Sequence, residues 1–166
     1  LSLVGSEMCI RDSYYNVKKV FDIAQTDVKR QPQVHYDDRL LLSALIAKRP
    51  VPIEMADSVQ NGAVYDYERK TIFVQRGMDG QDLFRSVSLA LARAEMAQQE
   101  NSTPQADAFK SYCVSYMLCR KYGVDTQGYD FSRLPDELKN AEPQTIRGEL
   151  TDIRDTLQTM TGKMVR

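Results

Sequence analysis

The sequence predicts an α+β fold in which a small antiparallel sheet of about three strands packs with helices, and a long amphipathic helix ends the chain. Three observations carry this prediction. β-Branched and aromatic residues alternate in two short runs between residues 63 and 75. Apolar residues recur at helical spacing from Asp79 to Gln99, and they recur again in steps of four and three after Pro143.

The composition is that of a single-domain protein with nearly balanced charge. The 166 residues are 42% hydrophobic, enough for one core with a trailing element, and the formal net charge of −1 argues against a strongly basic nucleic-acid surface. No apolar run approaches the thickness of a bilayer. The three cysteines are an odd number, and Cys113 and Cys119 lie six residues apart on a predicted helix, where a disulfide is unfavourable. We therefore expect a cytoplasmic protein with no membrane partner.

The beginning of the chain is expected to lie outside the fold. Residues 1–13, LSLVGSEMCIRDS, resemble the translation of a sequencing-adaptor read-through, although a short native apolar segment is the alternative. On the first interpretation the chain is a fragment whose upstream domains are missing. Residues 14–33 are then a linker from such a domain, and residues 34–166 form the predicted domain.

The first predicted helix spans residues 34–48 and is stopped by Pro50 and Pro52. Acidic residues near its start and Lys48-Arg49 at its end suit the helix dipole. His35, the only histidine, is expected to be a surface or capping residue rather than a metal ligand. The apolar residues expected to share one side are Leu40, Leu41, Ala44, Leu45 and Ala47.

Three strands are predicted next. Val51 to Met55 is a short candidate, and residues 63–67 and 71–75 form a hairpin about the polar connection Glu68-Arg69-Lys70. We expect Tyr65 and Tyr67 to pack against Ile72 and Val74 across the hairpin.

The central helix follows the hairpin. Asp79 is the expected N-cap, and Asp82 stands three residues later in a position like that of a capping box. One face is expected to be core, whereas Gln81, Arg85, Ser88 and Gln99 fall mostly elsewhere. The core face consists of Leu83, Val87, Ala90, Leu91, Ala94 and Ala97.

Two further helices are predicted. Residues 108–122 form one that ends at Gly123, and a loop from residue 124 to 134 folds back after it. Its expected apolar stripe is Phe109, Tyr112, Cys113, Tyr116, Met117 and Cys119. The last helix begins at Pro143, and its stripe either covers the domain, which we favour, or pairs with another chain. That stripe is Ile146, Leu150, Ile153, Leu157, Met160 and Met164.

Four stretches carry a resemblance to a known family. They are HYDDRLLLSALIAKRPVPI, IFVQRGMDGQDLFRSVS followed by ARAE, SYCVSYMLCRKYGVDTQGYDFSRLP, and IRGELTDIRD. Together they resemble a metallopeptidase domain of uncharacterised proteins from Gram-positive bacteria and their mobile elements, distantly similar to ArdC-like and ImmA/IrrE-type zinc peptidases. The resemblance implies a zincin-like fold. FDIAQT, before residue 30, also resembles the end of the DNA-binding region of ArdC-like antirestriction proteins.

The chain departs from this family where the chemistry would lie. Zinc peptidases carry HExxH on the helix after the hairpin, and the corresponding five positions here read Leu89-Ala90-Leu91-Ala92-Arg93. Leucine, alanine and arginine supply neither a zinc ligand nor a general base. The resemblance therefore transfers no catalytic residue, no metal ligand and no cofactor. The residues left for a residual site are Glu95, Asp107 and Tyr112, with Lys110 beside the last two.

Three functional hypotheses follow. The first is a catalytically degenerate domain that binds a partner protein or adjacent domains within a larger mobile-element or phage protein. Arg93 is then a fixed cation that pairs with Glu95 or with an acidic residue of the partner, or it is simply solvated. On this hypothesis Leu89 and Met96 form a small apolar patch or lie beneath a loop. The second is an active zinc hydrolase that recruits Glu95, Asp107 or His35. The third is an accessory domain for single-stranded DNA, suggested by FDIAQT and by Lys18, Lys19, Lys29 and Arg30, with DNA contact expected only through an upstream domain.

Overall fold

The computed structural model describes residues 36–99, 102–133 and 135–164, all within one structural unit. His35, FDIAQT, the basic residues near it and the segment 1–13 lie outside the described residues. The elements, in chain order, are α1 (Asp38–Ala47), β1 (Ile53–Ala56), β2 (Ala63–Asp66), β3 (Thr71–Gln75), α2 (Gly80–Met96), α3 (Pro104–Tyr122), α4 (Asp136–Lys139) and α5 (Pro143–Met164). The predicted α+β class, with a small sheet packed against helices, is confirmed.

The sheet is mixed rather than antiparallel. β2 and β3 form the predicted antiparallel hairpin, with Tyr65 opposite Ile72, but β1 runs parallel to β3 and the strand order is β1-β3-β2. The prediction for β1 was wrong because strands that are neighbours in sequence need not be neighbours in the sheet. β3 is the most apolar strand, with Ile72 and Val74 buried, and it takes the central position with a partner on each side.

Turn residues fix the two connections of β2. Asn61 and Gly62 precede it with φ values of 58° and 80°, and the Gly62 carbonyl accepts from the amide of Gln75 at 2.8 Å. After the strand, the Asp66 carboxylate accepts from the amides of Glu68 and Arg69, each at 2.9 Å. The hairpin connection therefore lies where the polar run predicted it.

α1 buries only one edge of its apolar side. Asp37 caps it by accepting from the amides of Arg39 and Leu40 at 2.9 and 3.1 Å. Leu41 and Leu45 are buried in the core, but Leu40 is 72% exposed. The five predicted apolar residues do lie on one side of the helix, within about 160° of its circumference, but only the edge that carries Leu41 and Leu45 is buried.

α2 is enclosed by the rest of the domain. Its predicted cap is confirmed, because the Asp79 carboxylate accepts from the amide of Gln81 at 3.2 Å. The helix contacts α1, α3, α5, β2 and β3, so more of its surface is buried than one stripe. Ser88, expected away from the core, is fully buried, and Asp82 pairs with Arg85. The buried residues are Phe84, Val87, Ser88, Ala90, Leu91, Ala92, Ala94 and Met96.

α3 buries a different face from the one predicted. It starts at Pro104, because Thr103 caps it and proline is tolerated in a first turn, and it ends at Gly123, whose φ is 74°. Of the predicted apolar stripe only Cys119 is buried. Tyr112 and Tyr116 instead pack against Tyr129 and Phe131 of the following segment, which folds back as expected. The buried residues are Asp107, Lys110, Ser111, Val114, Ser115, Leu118 and Cys119.

α5 covers the domain with its second half. Ile153, Met160 and Met164 of its apolar stripe are buried against the helices, as we favoured. The first two residues of the same stripe are not covered, since Ile146 is 39% and Leu150 is 59% exposed.

Two glycines provide a matched test of the turn before β2 and of the turn before α2. Gly62 and Gly77 both have positive φ, but a Cβ on Gly62 would collide with Met78 and Ser86, whereas one on Gly77 would meet open space. We expect Gly77→Ala to lower the free energy of unfolding by about 1 kcal/mol through backbone strain alone. Gly62→Ala should lower it further, because the flexible end of Met78 and the Ser86 hydroxyl must shift to make room for the methyl group. Equal losses in urea denaturation would contradict this description of the turn.

Candidate functional site

The three positions that the resemblance aligns with the zinc motif, Leu89, Ala90 and Arg93, lie in the middle of α2. Ala90 is 1% exposed, and Leu89 and Arg93 are partly buried. The Arg93 guanidinium donates from Nε to Ser111 Oγ on α3, at 3.4 Å. Arg93 therefore joins two helices, and it does not pair with Glu95 as one expectation had it. Met96 is 1% exposed, so the apolar surface patch expected from Leu89 and Met96 does not form.

Glu95 is engaged in an ion pair. Its carboxylate pairs with Lys163 near the end of α5, and its side chain is only 11% exposed. Lys48 and Arg49, together with apolar residues of α1, α2 and α5, line the small cavity beside this pair. A carboxylate held by one ammonium group and flanked by two more cations is a poor ligand for a metal cation.

Asp107 is also engaged. It is 1% exposed, accepts a hydrogen bond from Ser102, and lies 3.7 Å from the ammonium of Lys110. Lys110 reaches across to α5, where Asp152 and Glu149 lie 3.0 and 3.9 Å from its Nζ. Burial lowers the pKa of Lys110, but these carboxylates outweigh the burial and raise it overall, so the ammonium stays charged. The group ties α3 to α5.

Tyr112 lies in a different environment. Its hydroxyl accepts a hydrogen bond from the amide of Asp130 at 2.7 Å, and its ring packs on Tyr129 and Phe131. Tyr112 therefore anchors the segment after α3. The three residues kept for a residual site, Glu95, Asp107 and Tyr112, thus have three separate sets of partners.

Tyr67 is a half-buried residue with a buried hydroxyl, whose role the sequence did not predict. Among the described residues, its hydroxyl is the one buried side-chain oxygen or nitrogen without a hydrogen-bond partner. Burial raises the pKa of Tyr67, as does the Asp107 carboxylate, and the Arg93 guanidinium opposes them. The hydroxyl therefore stays protonated and lies within the field of Arg93 and Asp107. The alternation of its neighbours, as in a strand, predicted only a packing role for Tyr67.

A second polar group lies in the core between α2 and α3. Ser88 Oγ and Ser115 Oγ are 2.6 Å apart, Ser115 Oγ and the Tyr129 hydroxyl are also 2.6 Å apart, and Cys119 Sγ lies 3.4 Å from that hydroxyl. Ser88 donates to the Arg85 carbonyl at 2.9 Å, and this hydrogen bond ends the series. The one sequence signal for this network is the presence of serines on both facing helices. A search for hydrophobic periodicity misses this signal because it counts serine as a surface residue.

The Tyr129 hydroxyl and the Cys119 thiol in this network keep their protons. Burial raises the pKa of Tyr129, and burial also raises the pKa of the Cys119 thiol. Both groups are thus protonated at neutral pH, and a buried thiol of this kind is a weak nucleophile. The network satisfies buried polar atoms and does not form a reactive centre.

The described residues do not fit a zinc site. They contain no group of three or more histidine, cysteine, aspartate or glutamate side chains that could hold a metal ion. The two acids kept for a residual site, Glu95 and Asp107, are each paired with a lysine. A zinc ion would have to displace both lysines to use them.

Comparison of the chain with protein-family models, curated proteins and solved structures finds no match. The zincin-like resemblance therefore remains an expectation. No helix in the described part of the chain has both the length and the apolar character that a bilayer span needs.

Two tyrosines give opposite predictions for the same chemical change. Tyr67→Phe removes a buried hydroxyl that has no partner, and we expect the free energy of unfolding to rise by about 1 kcal/mol. Tyr129→Phe removes a hydroxyl that bonds Ser115, and we expect a fall of about 1 kcal/mol. Urea denaturation of the two variants measures both values. A loss of stability in Tyr67→Phe would mean that its hydroxyl has a partner.

Removing Lys110 should destabilise the fold, because the buried Asp107 carboxylate would lose its cation. Lys110→Met keeps the length of the side chain but leaves the carboxylate without its cation, and we expect the free energy of unfolding to fall by about 3 kcal/mol. Lys139→Met is the control, since Lys139 pairs with the exposed Asp136 and its removal should change stability little. Equal effects in thermal denaturation would show that the Lys110 group does not hold α3 to α5.

Proposed function

We propose that this domain is a metallopeptidase-like scaffold without a catalytic metal centre, which acts as a binding or structural module of a larger mobile-element or phage protein. Its partner is another protein or an adjacent domain of the same protein. A reducing cytoplasm suits the free thiols of Cys113 and Cys119. The placement of the motif positions supports the resemblance, since a strand hairpin leads directly into the helix that carries them.

One observation carries the proposal: the positions and acids that zinc chemistry needs are already used for packing and ion pairing. Ala90, where a general base would stand, is 1% exposed and has a methyl group in place of a carboxylate. Arg93, where a ligand would stand, brings a permanent positive charge to the place where the cation would bind. Repulsion between a guanidinium and Zn²⁺ disfavours a site there.

The second hypothesis, an active hydrolase with unusual ligands, requires Glu95 and Asp107. Glu95 faces Lys163 on α5, whereas Asp107 faces Lys110 on its own helix. Recruiting either acid to a metal would leave a partly buried lysine without its partner, which costs free energy in addition to the repulsion from Arg93. The arrangement therefore favours a scaffold over a hydrolase.

The zinc content of the purified chain tests the proposal. We expect far less than one zinc per chain by mass spectrometry after purification without added metal. We also expect no cleavage of an unfolded protein substrate when zinc is supplied. Glu95→Gln should leave both results unchanged, as should the control Glu68→Gln in the exposed hairpin connection.

One result would overturn the proposal in favour of the hydrolase. It is one zinc per chain that disappears in Glu95→Gln and persists in Glu68→Gln. Because the two substitutions make the same chemical change, this difference would assign the metal to the Glu95 position.

A further inference from the structure

The outer face of α1 has the composition of a helix-packing surface. Leu40, Ser43, Ala44 and Ala47 follow one another at spacings of three, one and three, which places them on one side of the helix. This side lies away from Leu41 and Leu45, which are buried in the core. Leu40 is the most exposed large apolar residue described, at 72%. We call these four residues the outer stripe.

A groove runs along the outer stripe. It encloses about 380 Å³ and is lined by the four stripe residues with Lys48, Lys163 and Met164. Three of the stripe residues have small side chains, so the backbone of a second helix can approach closely. A leucine side chain on that helix would meet alanines and Met164, with the side chains of Lys48 and Lys163 bordering the same groove.

Charge along α1 is polarised. Asp37 stands at its beginning, and Lys48 follows its end, with Lys163 of α5 lining the same end of the groove. A helix that lies antiparallel in the groove and carries the same polarity would bring opposite charges together at both ends. α1 itself is such a helix, because it offers one acidic end, one basic end and one protruding leucine.

We propose that the outer stripe is a dimer interface, in which α1 of a second copy of this chain lies antiparallel across α1. The twofold axis passes near Ser43 and Ala44. Leu40 of each copy then packs beside Ala47 of the other, and Asp37 of each copy lies near Lys48 of the other. Such an interface is self-complementary, as a twofold contact must be. The proposal goes beyond the proposed function and does not depend on the absence of a metal.

The area that one ten-residue helix offers is small, so the dimer is a weak one whose population rises with protein concentration. Sedimentation equilibrium of the full chain over a range of concentrations, with a reducing agent present, measures it. We expect the average mass to rise towards that of two chains. Leu40→Asp should remain monomeric at every concentration, because it places two carboxylates in an apolar contact.

Leu150→Asp is the matched control. Leu150 is also an exposed leucine on a helix, at 59%, but it lies on α5 away from the groove. Its substitution should leave the mass distribution unchanged. Circular dichroism of both variants verifies that the fold is retained.

Exchanging charges tests the antiparallel arrangement. Asp37→Lys and Lys48→Glu each place like charges together, and each alone should weaken association about tenfold. In an equimolar mixture of the two variants, both end contacts of the mixed dimer pair opposite charges again, so association should recover. In a parallel contact the wild type already places like charges together, so neither substitution alone would weaken association. An unrelated contact would respond neither to the single substitutions nor to their mixture. Either result would overturn the antiparallel arrangement.

Three results would overturn the proposal. The first is a wild-type chain that stays monomeric at all concentrations, which includes the case in which another part of the same chain covers the stripe. The second is association that persists unchanged in Leu40→Asp. The third is association lost in Leu150→Asp, which would move the interface to α5.

Discussion

The enclosure of α2 is the constraint from which the arrangement of the other elements follows. The sheet, α1, α3 and α5 all contact this helix, and they approach it because its buried side chains include Ser88, Ala90, Ala92 and Ala94. Close packing of this kind leaves little room for a larger side chain or an uncompensated charge. A glutamate at position 90 would need either new partners or a shift of a neighbouring element. The fold and the altered motif are thus compatible with each other.

Polar groups in this interior are retained where they have partners on a facing element. Ser88 and Ser115 connect α2 to α3 through hydroxyl contacts, and Lys110 connects α3 to α5 through carboxylates. Each connection joins two particular helix faces, so it specifies an orientation that apolar contacts alone would leave less defined. Tyr67 is the exception among the described residues, since its buried hydroxyl has no hydrogen-bond partner. The charges of Arg93 and Asp107 both act on this hydroxyl.

The sequence predicted those features that depend on local chemistry. Capping by Asp79, the hairpin and the bounds of α5 follow from side-chain type and spacing within a few residues. It did not predict the parallel β1, because strand order depends on burial across the whole sheet. It also misplaced the buried face of α3, since periodicity assigns tyrosines to the core and cannot see that Asp107 and Lys110 satisfy each other. The sequence identified the residues at the motif positions, but it did not predict which side chains they contact.

On the proposed function, charge balance accounts for a scaffold that is stable without an ion. In a zinc site the ion compensates the carboxylates that surround it, and the protein depends on that compensation. Here Lys110 and Lys163 compensate Asp107 and Glu95, and Arg93 adds a positive charge between α2 and α3. On the proposed function, these cations stand where the metal's charge would otherwise act. Since they are covalently part of the chain, a module of the proposed kind would not need a metal to balance these carboxylates. On the same proposal, the exposed apolar residues of α1 and of the first half of α5 are the surfaces open to a partner.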